Sequence, residues 1–435
     1  MTSTQSRTAE IRRLALHDPE AAKGALAALL RDLFGIEAGN VEINRDRYSL
    51  NSLNGFFEAG GEPFFFKFHQ EEGEEAMSGE YYRADILAKA GLPVDNPVHM
   101  SALPGEQILI YRRRSDPRFS DVLRQLDLVA DATAEQQALS AERDLSDRLL
   151  EVYRRTLHPV TAEEVAAEPI HRLFHERLVD PSGDARCEGI AVPGGRYADF
   201  YIGQTFRFPG VVVDWEGFSR ATFVVNGVRY EKTLGELFRA AMERLRPHRL
   251  ADAGGVVAHG DAHNANVWYV TGEDHPSLAF FDPAFAGSNV PTLLAEIKAT
   301  FHNIFAHPLW LYDPAEAAKR YAAQASYGDG VLEVTTDWQL SRIRRELLAV
   351  KAERLWRPLL AELKARNLLP PDWRDVIRLA LFLCPTLVMN LRAGASTHNP
   401  ASSLIAFSVA VMVGSKPVAE DDVMSMFLQA IDPGA

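Results

Sequence analysis

The sequence predicts an α+β protein of two lobes, with a small antiparallel β-sheet in the N-terminal part and a large, mainly α-helical part carrying a β-hairpin insertion. Three observations predict it. A chain of 435 residues is long enough to divide into two lobes or domains. Residues 41–69 alternate strand-like apolar runs with a polar loop and a Gly-Gly turn. Beyond residue 116 apolar residues recur at helical spacing, interrupted by a hairpin signal at 223–230 and by short apolar runs within 256–287. The expected division is 1–111 and 112–435, with an insertion over about 158–232.

Composition narrows the class. Hydrophobic residues make up 47% and charged residues 24%, ordinary for a soluble globular protein. Lys plus Arg number 46 against 59 Asp plus Glu, a formal charge of −13, which argues against a nucleic-acid partner. The balance is compatible with a cationic substrate, although acidity commonly serves solubility alone. Cys187 and Cys384 form neither a disulfide framework nor a metal motif and fit a reducing cytoplasm. The first twenty residues lack the apolar core of a signal peptide. The most apolar later stretches, 379–391 and 404–413, are short for a membrane span and read as core helices. The expectation is a cytoplasmic protein with no membrane partner; oligomeric state is not legible.

The elements come in order along the chain. Residues 7–34 read as helical, with Ala22, Leu26, Leu29, Leu30 and Leu33 on one stripe and Gly35 as the stop. Strands are expected at 41–48 and 55–58, separated by a polar loop with Ser49, Asn51 and Ser52. After a Gly60-Gly61 turn comes a third strand, 63–69, with Lys67 among aromatic residues. Period-two alternation permits Lys67 to face solvent. Residues 71–90 read as a helix whose Glu74, Glu75 and Glu80 suit a solvated acidic face. A further strand, 107–111, contains Ile110 and runs into Arg112, Arg113 and Arg114, a run that ordinarily lies at the surface. A long helix over 132–157 leads to the mixed insertion, where Asn226-Gly227 supplies the positive-φ positions of a type I′ hairpin turn. A helix over 233–249 delivers the chain to residue 256, and the chain beyond Gly287 reads as mainly helical. Asn390, Arg392, His398 and Asn399 offer polar groups in a late loop, without a motif.

Residues 256–287 concentrate the chemistry. An apolar run leads into His259-Gly260-Asp261; Asn266 stands five positions after Asp261; two strands joined by a loop end on Asp282. A hairpin would bring Asp261, Asn266 and Asp282 together. Oxygen donors without nearby Cys suit Mg²⁺ better than zinc. Phosphoryl transfer uses such a set, with metal on the nucleotide phosphates and a carboxylate at the attacking hydroxyl. His259 and His263 also admit reading as a zinc pair, and each residue taken singly is an ordinary turn former.

The His-Gly-Asp-x-His-x-x-Asn pattern of 259–266, followed by Asp282 at a strand end, resembles the aminoglycoside phosphotransferase and choline kinase superfamily of small-molecule kinases. The resemblance implies a two-lobed protein-kinase-like fold, ATP and Mg²⁺ as cofactors, and transfer of the γ-phosphoryl group to a hydroxyl of an aminoglycoside, sugar, amino alcohol or related metabolite. It implies Asp261 as the residue orienting the hydroxyl, and Asn266 and Asp282 as metal ligands. Lys67 would hold the α- and β-phosphates and Glu80 would fix it. Ser49, Asn51 and Ser52 would line the phosphates in place of a Gly-x-Gly-x-x-Gly loop, and the backbone around Ile110 and Arg112 would meet the adenine. The histidines become scaffold residues. Leu293 stands where the family carries a supporting Asp, leaving Glu296 as a substitute, a cap or a surface residue. The alternatives are a protein-modifying kinase-like enzyme and a catalytically silent nucleotide-binding regulator.

Overall fold

The computed structural model describes residues 6–44, 52–69, 78–101, 103–180, 191–271, 275–306 and 311–434; for 52, 69 and 78–82 the backbone alone is described. It has the mixed α+β class, and the chain forms two compact units, 1–88 with 94–116 and 89–93 with 117–435.

The smaller unit begins with two helices. Ser6 caps α1, Arg7–His17, by accepting from the Ala9 N–H. Asp18 likewise caps α2, Pro19–Phe34, by accepting from Ala21, with Pro19 in the first turn where its missing N–H is harmless. Gly35 ends α2 at φ 68°, a left-handed conformation that glycine adopts without strain. Five strands complete the unit: β1 Gly39–Ile43, β2 Ser52–Ala59, β3 Glu62–His69, then, after α3 Ser78–Lys89, β4 His99–Ser101 and β5 Ile108–Arg112. They form one antiparallel sheet in the order β1-β2-β3-β5-β4. Phe64, Phe66 and Phe68 alternate along β3 and bury against Leu26, Leu29 and Leu30 of α2. Full burial stabilises each such leucine by about 1.5–3 kcal/mol. The alternation sends Lys67 to the other face of the sheet, half-buried, between Asn54 on β2 and Leu109 on β5.

The larger unit contains α4, Phe119–Leu128, and the 25-residue α5, Ala132–Thr156, capped by Asp131. Two later helices, Trp373–Val388 and Pro400–Gly414, are buried nearly all round. No helix among the described residues is long and apolar enough to cross a membrane. The expected Asn-Gly hairpin is present: Thr222–Val225 pairs with Val228–Arg229, with Asn226 at φ 49° and Gly227 at φ 89°. The expectation of a mainly helical chain beyond Gly287 needs correcting at one place. Ala323–Gly328 and Val331–Thr336 form a second hairpin, and Val331–Thr336 pairs in parallel with Thr222–Val225, completing a four-stranded sheet. Its turn, Asp329-Gly330, has φ 50° and 74°, the same turn chemistry as Asn226-Gly227.

Candidate active site

The stretch 255–291 builds its site from two strand pairs and one glycine. Gly255–Ala258 pairs with Gly287–Pro291, and Val267–Val270 pairs with Ser277–Phe280. Gly260 lies at φ 77°, and a Cβ there would stand 2.4 Å from the Phe285 carbonyl oxygen, so only glycine lets the chain turn into Asp261. His259, 1% exposed, ties the loop: its Nδ1 accepts from the Asp261 N–H at 3.3 Å and its Nε2 donates to the Phe281 carbonyl at 3.0 Å. Both ring nitrogens are thereby used, which removes the zinc-pair reading and gives His259 the scaffold role. Burial holds its pKa below the usual imidazole value, consistent with the neutral ring those bonds require.

The hairpin register then assembles the acidic end. The Phe281 N–H donates to the Asn266 carbonyl at 3.0 Å, so Asp282 follows directly beside Asn266. Asp282 sits at φ 55°, which turns the chain sharply at the strand end. Asn266 spends its amide nitrogen on the Asp261 carbonyl at 3.0 Å, leaving its side-chain oxygen as the outward acceptor. Asp261 Oδ1 is buried and has no hydrogen-bond partner. Lys298, 4% exposed, places Nζ 3.7 Å from that oxygen, and His263 Nε2 stands 3.7 Å from Oδ2. Burial alone would push the Asp261 carboxyl up. Lys298, then His263, His259 and Arg177, more than offset burial and hold it below the usual carboxylate range.

Two of these residues carry oxygen donors of the kind Mg²⁺ takes. The Asn266 side-chain oxygen, whose amide nitrogen is engaged elsewhere, and the Asp282 carboxylate are both hard oxygen donors, and the Asp261 oxygen without a hydrogen bond stays outside that pair. Among the described residues no group of three or more His, Cys, Asp or Glu is placed to hold a metal ion.

Several contributors lie beyond the reach of the motif. Lys298 Nζ also meets His302 Nε2 at 2.9 Å, and His302 Nδ1 meets the Tyr312 hydroxyl at 2.6 Å. Asn303 accepts the Asn264 N–H at 2.7 Å, and its carbonyl takes a bond from Arg344, itself paired with the buried Asp127 at 2.7 Å. The available signal was polar residues at helical spacing, 298 and 302, inside an otherwise apolar run. Glu168, within the 158–232 insertion, braces the segment behind Asp282. It accepts the Asn289 N–H at 2.7 Å, and a Cβ at Gly287 would stand 1.7 Å from its Oε2.

Glu296 fills none of the three roles expected of it. It is fully buried, makes no capping bond, and spends its oxygens on Tyr153 at 2.6 Å and Lys351 at 3.0 Å.

The nucleotide-side expectations fall on the smaller unit. Lys67 is half-buried on β3, and Glu80 lies in α3 with its side chain outside the described residues. Ser49 and Asn51 also lie outside them, and Ser52 opens β2. Ile110 packs its side chain into the core, and its carbonyl accepts from the Val98 N–H at 2.7 Å. Arg112 is exposed and pairs with Glu62 at 3.2 Å.

A scan of family models finds no match to the sequence, and neither does a search of curated proteins. Solved structures do match. One is a spectinomycin phosphotransferase in complex with ADP and spectinomycin, at 12% identity over 89% of this chain and 98% of that one, TM-score 0.39. A second is a thermostable mutant of an aminoglycoside phosphotransferase in ternary complex with AMP-PNP and hygromycin B, at 13% over 90% and 98%, TM-score 0.42. A third is a microcompartment-associated aminopropanol kinase, at 13% over 90% and 94%, TM-score 0.39. Similarity of this degree leaves the functional reading to the residues themselves.

Proposed function

We propose that this chain is an ATP- and Mg²⁺-dependent phosphotransferase that moves the γ-phosphoryl group to a hydroxyl of a small molecule. The observation that carries the reading is Asp261: a buried carboxylate with one oxygen free of hydrogen bonds, kept ionised by a buried lysine, on the loop that also carries Asn266 and leads to Asp282. Asp261 Oδ1 accepts the hydrogen bond of the acceptor hydroxyl and aligns it. Its low pKa suits orientation, with the proton leaving late. Asn266, through its side-chain oxygen, and Asp282 hold the metal. Mg²⁺, when bound, would neutralise charge on the phosphates of ATP, which supplies the phosphoryl group. Lys298 keeps Asp261 ionised, and His259 fixes the loop. Lys67, with Glu80, holds the α- and β-phosphates.

Calorimetric titration with a non-hydrolysable ATP analogue, with and without Mg²⁺, then an ATP-consumption screen over hydroxyl compounds, tests this. Asp261→Ala is expected to retain nucleotide binding and to lose about 10²- to 10⁴-fold of turnover. Asp282→Ala is expected to lose the Mg²⁺ dependence. Absence of Mg²⁺-dependent nucleotide binding by the wild type would sink the reading.

A further inference from the structure

Two buried groups of opposite charge face each other at the candidate catalytic loop with hydrogen-bonding capacity unspent. Asp261 Oδ1 is buried and makes no hydrogen bond. Lys298 Nζ stands 3.7 Å from it, beyond hydrogen-bond reach, on a side chain 4% exposed. An ammonium carries three N–H donors, and among the described residues this one spends a single donor, on His302 Nε2 at 2.9 Å. The Asp261 side chain as a whole is 14% exposed, so its carboxylate is reachable.

The ammonium is aimed from behind. It only donates, so His302 Nε2 accepts; the neutral ring then carries its hydrogen on Nδ1 and donates it to the Tyr312 hydroxyl at 2.6 Å. His302 is buried and stands one turn beyond Lys298, in the π-helical turn Phe301–Phe305 that continues Ile297–Thr300.

The 3.7 Å gap restricts what can enter it. An oxygen about 2.8 Å from both groups would hydrogen-bond each of them. A carboxylate there would meet the charge of Asp261, and an ammonium would meet that of Lys298. A hydroxyl, of an alcohol or of water, is neutral and both donates and accepts, so it satisfies the two sides at once. A counter-ion alone would gain more by closing to hydrogen-bond distance, as Lys351 does with Glu296 at 3.0 Å.

We propose that Lys298 is a catalytic residue, whose ammonium hydrogen-bonds the acceptor oxygen while Asp261 Oδ1 takes that oxygen's hydrogen, and that His302 is the positioning residue that aims it. The inference rests on the phosphotransferase reading and adds a second group at the attacking oxygen. As the bond from that oxygen to the γ-phosphorus forms, the bond from the γ-phosphorus to the bridging oxygen of ATP breaks; ADP leaves, and the hydroxyl proton passes to Asp261. Lys298 offsets the negative charge that the phosphoryl group brings up to Asp261. Water in the same place gives slow hydrolysis of ATP.

The experiment separates contact from charge alone. The kcat of wild type and of Lys298→Met is followed against pH, with the best hydroxyl compound of the ATP-consumption screen and, in a second arm that needs no identified substrate, with water as the acceptor. On the alkaline plateau Asp261 is ionised in both proteins, so a lysine acting only through its charge leaves the plateau unchanged. Lys298→Met is expected to lower the plateau about 10²- to 10³-fold, with Mg²⁺-dependent binding of the ATP analogue retained. His302→Phe is expected to lower it about 10-fold. His302→Gln, whose amide oxygen still accepts from Lys298, is expected to recover part of that loss, which a packing defect would not allow. An unchanged plateau in Lys298→Met overturns the inference even where the acidic limb moves, and so does an equal plateau in the two His302 variants. Where Lys298→Met loses analogue binding, the His302 pair decides by the same criterion. Absence of Mg²⁺-dependent nucleotide binding by the wild type is the separate failure of the underlying function.

Discussion

Two buried carboxylate–lysine clusters lie side by side in the larger unit, because Glu296 and Lys298 are two residues apart. Around Glu296 every group is satisfied. Tyr153 donates at 2.6 Å, and Lys351 bridges Glu296 and Glu142 at 3.0 Å each, all three charged side chains being at most 3% exposed. Around Asp261 the same ingredients are held open. Lys298 stands 3.7 Å away, His263 stands 3.7 Å away, and one oxygen has no hydrogen-bond partner. A closed network has nothing left to offer a ligand and acts as scaffold. An open one keeps binding capacity in reserve at a cost to stability, and that asymmetry separates chemistry from architecture where residue types alone do not.

Breaking the closed cluster should produce the largest effect on stability. Lys351→Met strands Glu142 and Glu296 in the interior, and a loss of about 3–5 kcal/mol is expected from urea unfolding, with turnover per folded molecule retained. Tyr153→Phe removes one charge-assisted bond from the same network and is expected to cost about 1.5–3 kcal/mol by the same measurement. Lys298→Met should cost less than either, because its ion pair is long, and its signature is a pH profile. Asp261 works ionised, and Lys298 is the foremost group holding its pKa down against burial. Without Lys298 the carboxyl rises, so the acidic limb of kcat is expected to move to higher pH. An unmoved limb would mean that the open cluster is inert.

The legible part of the sequence is local. The spacing of Asp261, Asn266 and Asp282 needs only one hairpin to become a cluster, and Asn226-Gly227 carries its own turn chemistry. Asp329-Gly330 carries the same chemistry, yet its strands read as part of a helical region, because their hydrophobic alternation is completed by partners about a hundred residues away. Lys298 and Glu168 reach the site from separate parts of the chain, and no periodicity marks a side chain that is polar because of a distant neighbour. Glu296 stands out only through its position after the motif, where the missing Asp invites a substitute. Its partners, Tyr153 and Lys351, come from elements that only folding brings near. Strand alternation along Ile108–Arg112 does not say which face the first two helices cover, so the burial of Ile110 is decided by packing.

The parallel pairing of Thr222–Val225 with Val331–Val334 also bears on how the chain reaches its native state. Asn226 seals that pairing through two hydrogen bonds with Thr336, a separation of 110 residues. The entire catalytic loop lies inside the segment so closed. During synthesis, the sheet remains incomplete until residues 256–287 and the helices behind them have emerged, and closing so long a loop is a slow, entropically unfavourable step. The site and this sheet are therefore expected to mature together, and a chain stalled before residue 331 would expose an unpaired hydrophobic strand edge to chaperones and proteases.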